Sequence, residues 1–398
     1  MFERYEAVPP DPILGLIERF RDDPSPDKVD LGVGVYRDES GRTPIMAAVR
    51  EAARAEIESA SSKAYFGQAG NPAINPVIQD LVLGEGHPAT AAARALTLQT
   101  PGGSGALRVA AEMLREVDDT VRMWVPTPTW ANHVPLIGAA GVQLVSYPYY
   151  DHETAAIDRD AMFEALGTAK RGDVVLVHAS CHNPTGADLA AEDFRTLASI
   201  AMERGLVTLV DNAYQGFARG LDEDAAGIRI LVEAGLEVLV ATSFSKNFGL
   251  YRDRAGALMI AGPSSRTTSA AYSNALRLVR RMYSVPPDHG PALVARILTT
   301  HGLRGRWQSE LDHMRNRLIA LRRTLVDELA ARGLERFGFI ADQRGMFSLL
   351  GIDESQAERL TDVHHIYLPR NGRINVAGIG EDTAGYVADA LADVTSSD

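Results

Sequence analysis

The chain has 398 residues, enough to bury a substantial core and to divide into two domains. Its 40 Lys and Arg against 52 Asp and Glu give a net charge of −12, which argues against a phosphate-backbone partner, so no nucleic acid is expected. A lone cysteine, Cys181, leaves no intrachain disulfide framework and no cysteine cluster for zinc; no metal is expected, and a reducing, cytoplasmic location is.

The start, MFERYEAVPPDPILGLIERF, lacks the basic segment, apolar run and small-residue cleavage site of a secretory signal, and no membrane span is expected. Residues 1–11 are taken as an N-terminal arm. VDLGVGVYRDESGRTP then gives a short strand and turn, which could join a discontinuous small domain. From about Thr43 to Arg281 apolar, strand-length runs alternate with amphipathic stretches, the pattern of a mostly parallel sheet between helices, so the fold class is α/β. The strands are ALTLQT, MWVPT, VQLVSY, DVVLVHA, LVTLVD, EVLVATS and GALMIAG, with helices between them such as Gly105 to Leu114 and Ala190 to Glu203. After about residue 300 comes a long helix, ARILTTHGLRG then WQSELDHMRNRLIALRRTLVDELAARG, followed by short strands around MFSLLG and RINVAG and a closing helix. That is a smaller α+β domain. The expected division is 43–313 for the large domain and 12–42 with 314–398 for the small one, and the tail VTSSD should fray.

Ligands of open α/β sheets bind beyond the carboxyl ends of the strands, and four such ends carry polar residues. TPGGSGALRVAAEML is a glycine-rich turn entering a helix, where the amides at Gly103, Ser104 and Gly105 form a natural phosphate site; its spacing matches neither GxGxxG nor a P-loop. VLVHASCHNPTG offers His178, His182 and Asn183 ahead of a Pro-Thr-Gly turn, and a plain turn is the alternative. LVTLVDNAYQGF ends a strand at Asp211, which is either a helix cap or a buried carboxylate that keeps a pyridinium nitrogen protonated, with Tyr214 donating to the ring's phenolate oxygen. ATSFSKNFGLYRDR sets Ser243, Ser245, Lys246 and Arg254 together. Hydroxyls and a guanidinium around a lysine would hold a phosphate dianion while the amine condenses with an aldehyde, whereas a lysine taken alone is a solvated surface charge.

Read together and in order, SFSKNFGLYRDR, DNAYQGFARGL, CHNPTG, GGSGALR, TPTWANH, SVPPDHG, RGMFS and GRINVAG resemble the signature stretches of the subgroup Iα aspartate/aromatic amino acid aminotransferases, of pyridoxal 5′-phosphate (PLP) fold type I, over nearly the whole chain. The resemblance implies PLP as cofactor and Lys246 as its Schiff-base lysine and proton shuttle. It implies Asp211, supported by His133, against the ring nitrogen; Asn183 and Tyr214 on the ring oxygen; and Trp130 on the ring face. Gly103, Ser104, Ser243, Ser245 and Arg254 would hold the phosphate, with Tyr65 reaching in from a neighbouring subunit of a homodimer. Arg373, with Asn183 and the backbone at Gly34, would clamp the substrate's α-carboxylate, and Arg280 would take the distal carboxylate across the dimer.

The reaction so implied is a ping-pong exchange of an amino group between aromatic amino acids or aspartate and 2-oxoglutarate. Ala64, Val285 and Ser104 depart from the aspartate-type pattern toward aromatic substrates, while Val35, Arg37 and Thr43 fit it, so both classes are expected. Asn212 departs from the apolar residue usual after the aspartate. Phe347, His178, His182 and His289 have core or structural readings and stay off the catalytic set. Competing readings are a β-lyase or decarboxylase of the same fold, with less reason to pair Arg373 with Arg280, and a non-catalytic binding module.

Overall fold

The computed structural model describes residues 1–8 and 12–396; residues 9–11 of the expected arm, and the last two residues of the tail expected to fray, lie outside them. All seven expected strands form, as β1 (Ala95–Pro101), β2 (Arg122–Thr127), β3 (Gln143–Pro148), β4 (Val174–His178), β5 (Val207–Asn212), β6 (Val238–Ser243) and β7 (Ala255–Ala261). They make one sheet in the order β1-β7-β6-β5-β4-β2-β3. Neighbours are parallel except at β7, which runs antiparallel to both β1 and β6.

Side chains along these strands alternate between two apolar layers. Val175, Val177, Val210, Val238 and Val240 face one layer, and Val174, Leu176, Leu209, Leu239 and Ala241 the other. Strands covered on both faces need apolar residues at every position, and for that reason they stand out as continuous runs in the sequence. Helices fill both layers, among them Gly102–Val117, which starts three residues before the expected Gly105, and Ala191–Arg204.

A separate apolar core joins Val29 and Leu31 to residues between Leu321 and Val394. Val29–Asp30 pairs with Ile366–Tyr367, and Phe347–Leu349 pairs antiparallel with Arg373–Asn375. The expected single long helix is in fact two, His289–Thr299 and His301–Ala330, because Thr300 adopts an extended conformation (φ −102°, ψ 108°). Gly302 and Gly305, by contrast, are carried inside the second helix. That helix packs Leu303, Trp307, Leu311, Met314 and Leu318 into the main core and Leu321, Leu325 and Leu329 into the smaller one. It is a rod shared by both. The tail also differs from expectation: Val394 and Thr395 belong to the closing helix Ala384–Thr395, since Val394 is buried in the smaller core.

Candidate active site

A cavity of about 210 Å³ opens at the carboxyl edge of the sheet, lined by Gly34, Gly103, Ser104, Trp130, Asn183, Asp211, Tyr214, Ser243, Ser245, Lys246 and Arg254, all singled out in the sequence. The strand order explains the convergence. β4, β5 and β6 end there at His178, Asn212 and Ser243, with Asp211 opposite His178 in register. β7 starts there because it runs the other way, which delivers Arg254 from the residue just before it.

One end of the cavity is built for an anion. The helix Gly102–Val117 points its free amides at it, and Arg254 Nη1 donates to Ser245 Oγ at 3.3 Å while Ser243 Oγ lies 3.2 Å from Ser245 Oγ. Gly102 has φ +72°, and a Cβ there would meet Arg254 Nη2 at 2.7 Å; one on Gly103 would meet Ser243 Cβ at 3.0 Å. Only glycine lets the guanidinium and hydroxyls close on the helix start. Arg254 itself is held at φ +52°, a left-handed conformation that a non-glycine residue adopts at a cost.

The opposite end is built for a cation. Asp211 is buried and its Oδ2 lies 3.0 Å from His133 Nε2, with Thr129 Oγ1 2.8 Å from His133 Nδ1. Donation from Nε2 to the carboxylate leaves Nδ1 to accept from the threonine hydroxyl. Burial alone would raise the Asp211 pKa, but the hydrogen bond from His133 and the electrostatic pull of that ring and of Lys246 outweigh it, and the carboxyl is held below its ordinary value. The His178 ring packs 5.2 Å from that of His133, and burial drives its pKa down to about 3, so it stays neutral. His178 therefore belongs to the site as a neutral wall. Sequence alone keeps it off the catalytic set, as a structural histidine.

Lys246 lies between the two ends, its Nζ 4.7 Å from the centre of the Tyr214 ring. Burial lowers the amine to about 8, with Asp211 opposing and Arg254 assisting. Burial raises Tyr214 as well, with the Asp211 charge adding to it, so the phenol keeps its proton. Trp130 meets the His133 ring edge-on at 5.2 Å. Tyr251, not singled out beforehand, also lines the cavity, and its hydroxyl accepts the Tyr36 N–H at 2.9 Å.

Arg373 stands at the adjoining mouth with Trp130 and Asn183, its Nη1 3.5 Å from Asn183 Oδ1. Phe347 is a residue of the main core, and it lies directly behind this mouth: its ring centre is 4.5 Å from the Arg373 guanidinium and 6.0 Å from the Tyr214 ring. Two expected residues stand away from the cavity of their own chain. Tyr65 is 91% exposed, and Arg280, in the last turn of Ser265–Met282, is exposed and donates to Ser284 Oγ.

The donor set suits a ligand with a positive ring nitrogen at one end and a phosphate at the other, with a carbonyl in reach of a primary amine, which is the shape of PLP. The ligating atoms of His133, His178 and Asp211 lie within 4.8 Å of one another and could also hold a metal ion, but the phosphate cradle and Lys246 would have no part in that. Among the described residues no helix is long and apolar enough to cross a membrane.

Residues 26–391 match the family model described as aminotransferase class I and II. The chain is 44% identical to the aspartate aminotransferase of Escherichia coli K12 over 98% of its own length and 99% of that protein. It is 43% identical to the aromatic-amino-acid aminotransferase of Paracoccus denitrificans, with 97% of each covered. The crystal structure of the aromatic-amino-acid aminotransferase from Burkholderia pseudomallei, covalently bound to pyridoxal phosphate, superposes with a TM-score of 0.97 at 42% identity, covering 99% of each chain.

Proposed function

The chain belongs to the class I and II aminotransferases, and from that premise we propose that Lys246 carries the cofactor and the proton of an aspartate and aromatic amino acid aminotransferase. The enzyme depends on PLP. The observation that carries the reading is a single cavity with a charged carboxylate at one end, a guanidinium and two serines at the other, and one amine between them.

When bound, PLP withdraws electrons from the substrate's α-carbon and makes its proton acidic. The protein's residues do the rest. Asp211 keeps the ring nitrogen charged, Tyr214 and Asn183 hold the ring oxygen, and Trp130 covers a face. Gly103, Ser104, Ser243, Ser245 and Arg254 fix the phosphate. The Lys246 amine takes the α-proton and returns it to the acceptor carbon, a task suited to a pKa of about 8. Arg373 grips the α-carboxylate as a planar fork, with Asn183 and the backbone at Gly34 beside it.

The proposal extends to 2-oxoglutarate as acceptor and to a homodimer in which the partner subunit's Tyr65 completes the phosphate site and the partner subunit's Arg280 meets the distal carboxylate. The exposure of both residues in the single chain supports that part. We also propose that the two cores act as domains, the smaller closing on the larger, and that the enzyme is cytoplasmic, in keeping with its free, buried Cys181. Relatives of both substrate names stand at similar identity, and Ser104 in the cavity favours aromatic side chains while Arg37, paired with Asp30, fits the aspartate type. Both donor classes are therefore expected. The test is an assay of aspartate, phenylalanine and tyrosine against 2-oxoglutarate: oxo acid from at least one aromatic donor and from aspartate is expected, and no oxo acid from a cofactor-loaded protein would overturn the reading.

A further inference from the structure

A half-buried carboxylate, Asp188, and a fully buried guanidinium, Arg322, stand behind the α-carboxylate grip. Asp188 accepts the Cys181 N–H on Oδ2 and the His182 N–H on Oδ1, each at 2.8 Å. Those amides open the turn that carries Asn183, and Cys181 is held there at φ +52°. The His182 ring is stacked on Tyr149 at 4.1 Å and its Nδ1 lies 2.9 Å from Thr185 Oγ1, so the turn has little freedom.

Arg322, 1% exposed, does the corresponding work in the smaller core. Its Nη1 donates to Ile340 O and Ser348 Oγ, and its Nη2 to the carbonyl oxygens of Arg344, Gly345 and Phe347, at 2.6–3.2 Å. All five acceptors are neutral. The segment so held runs into the strand Phe347–Leu349, which pairs with the strand of Arg373, Leu349 opposite Arg373 itself.

The two segments meet without slack. Arg344 N–H donates to Gly186 O at 2.8 Å; a Cβ on Gly345 would lie 2.4 Å from Cys181 Cβ, and one on Gly186 2.4 Å from Phe347 O. A charge taken out of water is costly unless it is hydrogen-bonded: Arg322 keeps its Nε without a partner and spends both Nη atoms on the segment 340–348, while both carboxylate oxygens of Asp188 are spent on the turn at Cys181 and His182. We propose that Asp188 and Arg322 are positioning residues for the α-carboxylate grip, Asp188 fixing the Asn183 half and Arg322 the Arg373 half.

This rests on the reading of Arg373 and Asn183 as that grip. Burial raises the Asp188 carboxyl to about 6 against the pull of the His182 and Cys181 amides, with Asp224 adding to the rise and Arg219 opposing it. Below that pH a proton on Asp188 removes an acceptor from the turn, and the grip loosens.

The test measures the dissociation constants of maleate and 3-phenylpropionate, which carry carboxylates but no amine, on the cofactor-loaded enzyme and on Asp188→Asn, Arg322→Lys and, as control, Arg373→Lys. A positioning role predicts about tenfold weaker binding in both Asp188→Asn and Arg322→Lys, with cofactor retained and KM for amino acids rising more than kcat falls. The unaltered enzyme should bind 3-phenylpropionate, whose carboxylate stays charged there, more weakly as pH falls below about 6, and Asp188→Asn should lose that dependence. Dissociation constants report only folded molecules, so poor yield does not mimic the effect; if Arg322→Lys does not accumulate, Ser348→Ala, which removes one of its acceptors, should weaken binding in the same direction. Unchanged constants in these variants, while Arg373→Lys weakens binding, overturn the inference. Unchanged constants in Arg373→Lys too would overturn the grip itself.

Discussion

Asp211 and Lys246 divide the labour of the site, and each role gives its own expectation. Asp211 is held in its charged form by His133, so Asp211→Ala should keep most of the cofactor, which the phosphate cradle retains, yet lower kcat by at least about 10²-fold. Loss of cofactor in proportion to activity would count against this. Lys246 is lowered by burial from 10.5 to about 8, which means the folded chain sheds that proton more readily than the unfolded one. The sign follows. In the cofactor-free protein the cost of burying the charged amine is present in full below pH 8 and vanishes as pH rises from about 8 toward 10.5. Lys246→Met should accordingly raise the melting temperature of cofactor-free protein at pH 7, with the gain shrinking across that window, and a gain that is flat with pH would contradict it.

The elements show what a sequence discloses and what it withholds. The inner strands β4, β6 and β7 were legible because they are buried on both faces and stay apolar, the half-exposed edge strand β3 kept enough apolar residues to be read, and the polar strand ends were legible because the site lies at one edge of the sheet. The reversal of β7 was not, since an apolar run has no direction; yet that reversal brings Arg254 to the phosphate end. The break at Thr300 was missed because a threonine is not a helix breaker and nothing beside it marks a turn. Arg322 belongs to no local pattern, since its acceptors are set by tertiary packing, and Asp188, although it bonds amides only six and seven residues back, carries no signal that sets it apart from any other loop aspartate. Asn212 is buried and donates to Gln215 Oε1 at 2.9 Å, and the structure gives no further account of that departure. At the helix start, Gly102→Ala would place a Cβ against Arg254 in a left-handed conformation costing about 1–2 kcal/mol. Cofactor affinity, measured by titrating the cofactor-free protein, should fall more steeply than the melting temperature. Equal affinity would mean that Arg254 does not need this approach.

At the scale of the whole molecule, the long helix His301–Ala330 ties a three-layer core to a smaller one, and the cavity sits where the two come together, between Gly34 and Arg373 on one side and the sheet edge on the other. A single chain does not complete that cavity in the proposed account, because Tyr65 and Arg280 stand outside it. Two inactive variants should then repair each other: after refolding a mixture of Lys246→Ala and Arg280→Ala chains, the mixed dimer has one site with both native residues. Recovered activity toward aspartate is expected, and none in a mixture shown to contain mixed dimers would sink the shared-site arrangement. Beneath all of this lies the claim that one amine moves the α-proton. The direct measurement is the rate at which cofactor-loaded Lys246→Ala forms oxo acid from aspartate or phenylalanine, set beside the unaltered enzyme: a loss of about 10²-fold or more is expected, and an equal rate would contradict the account.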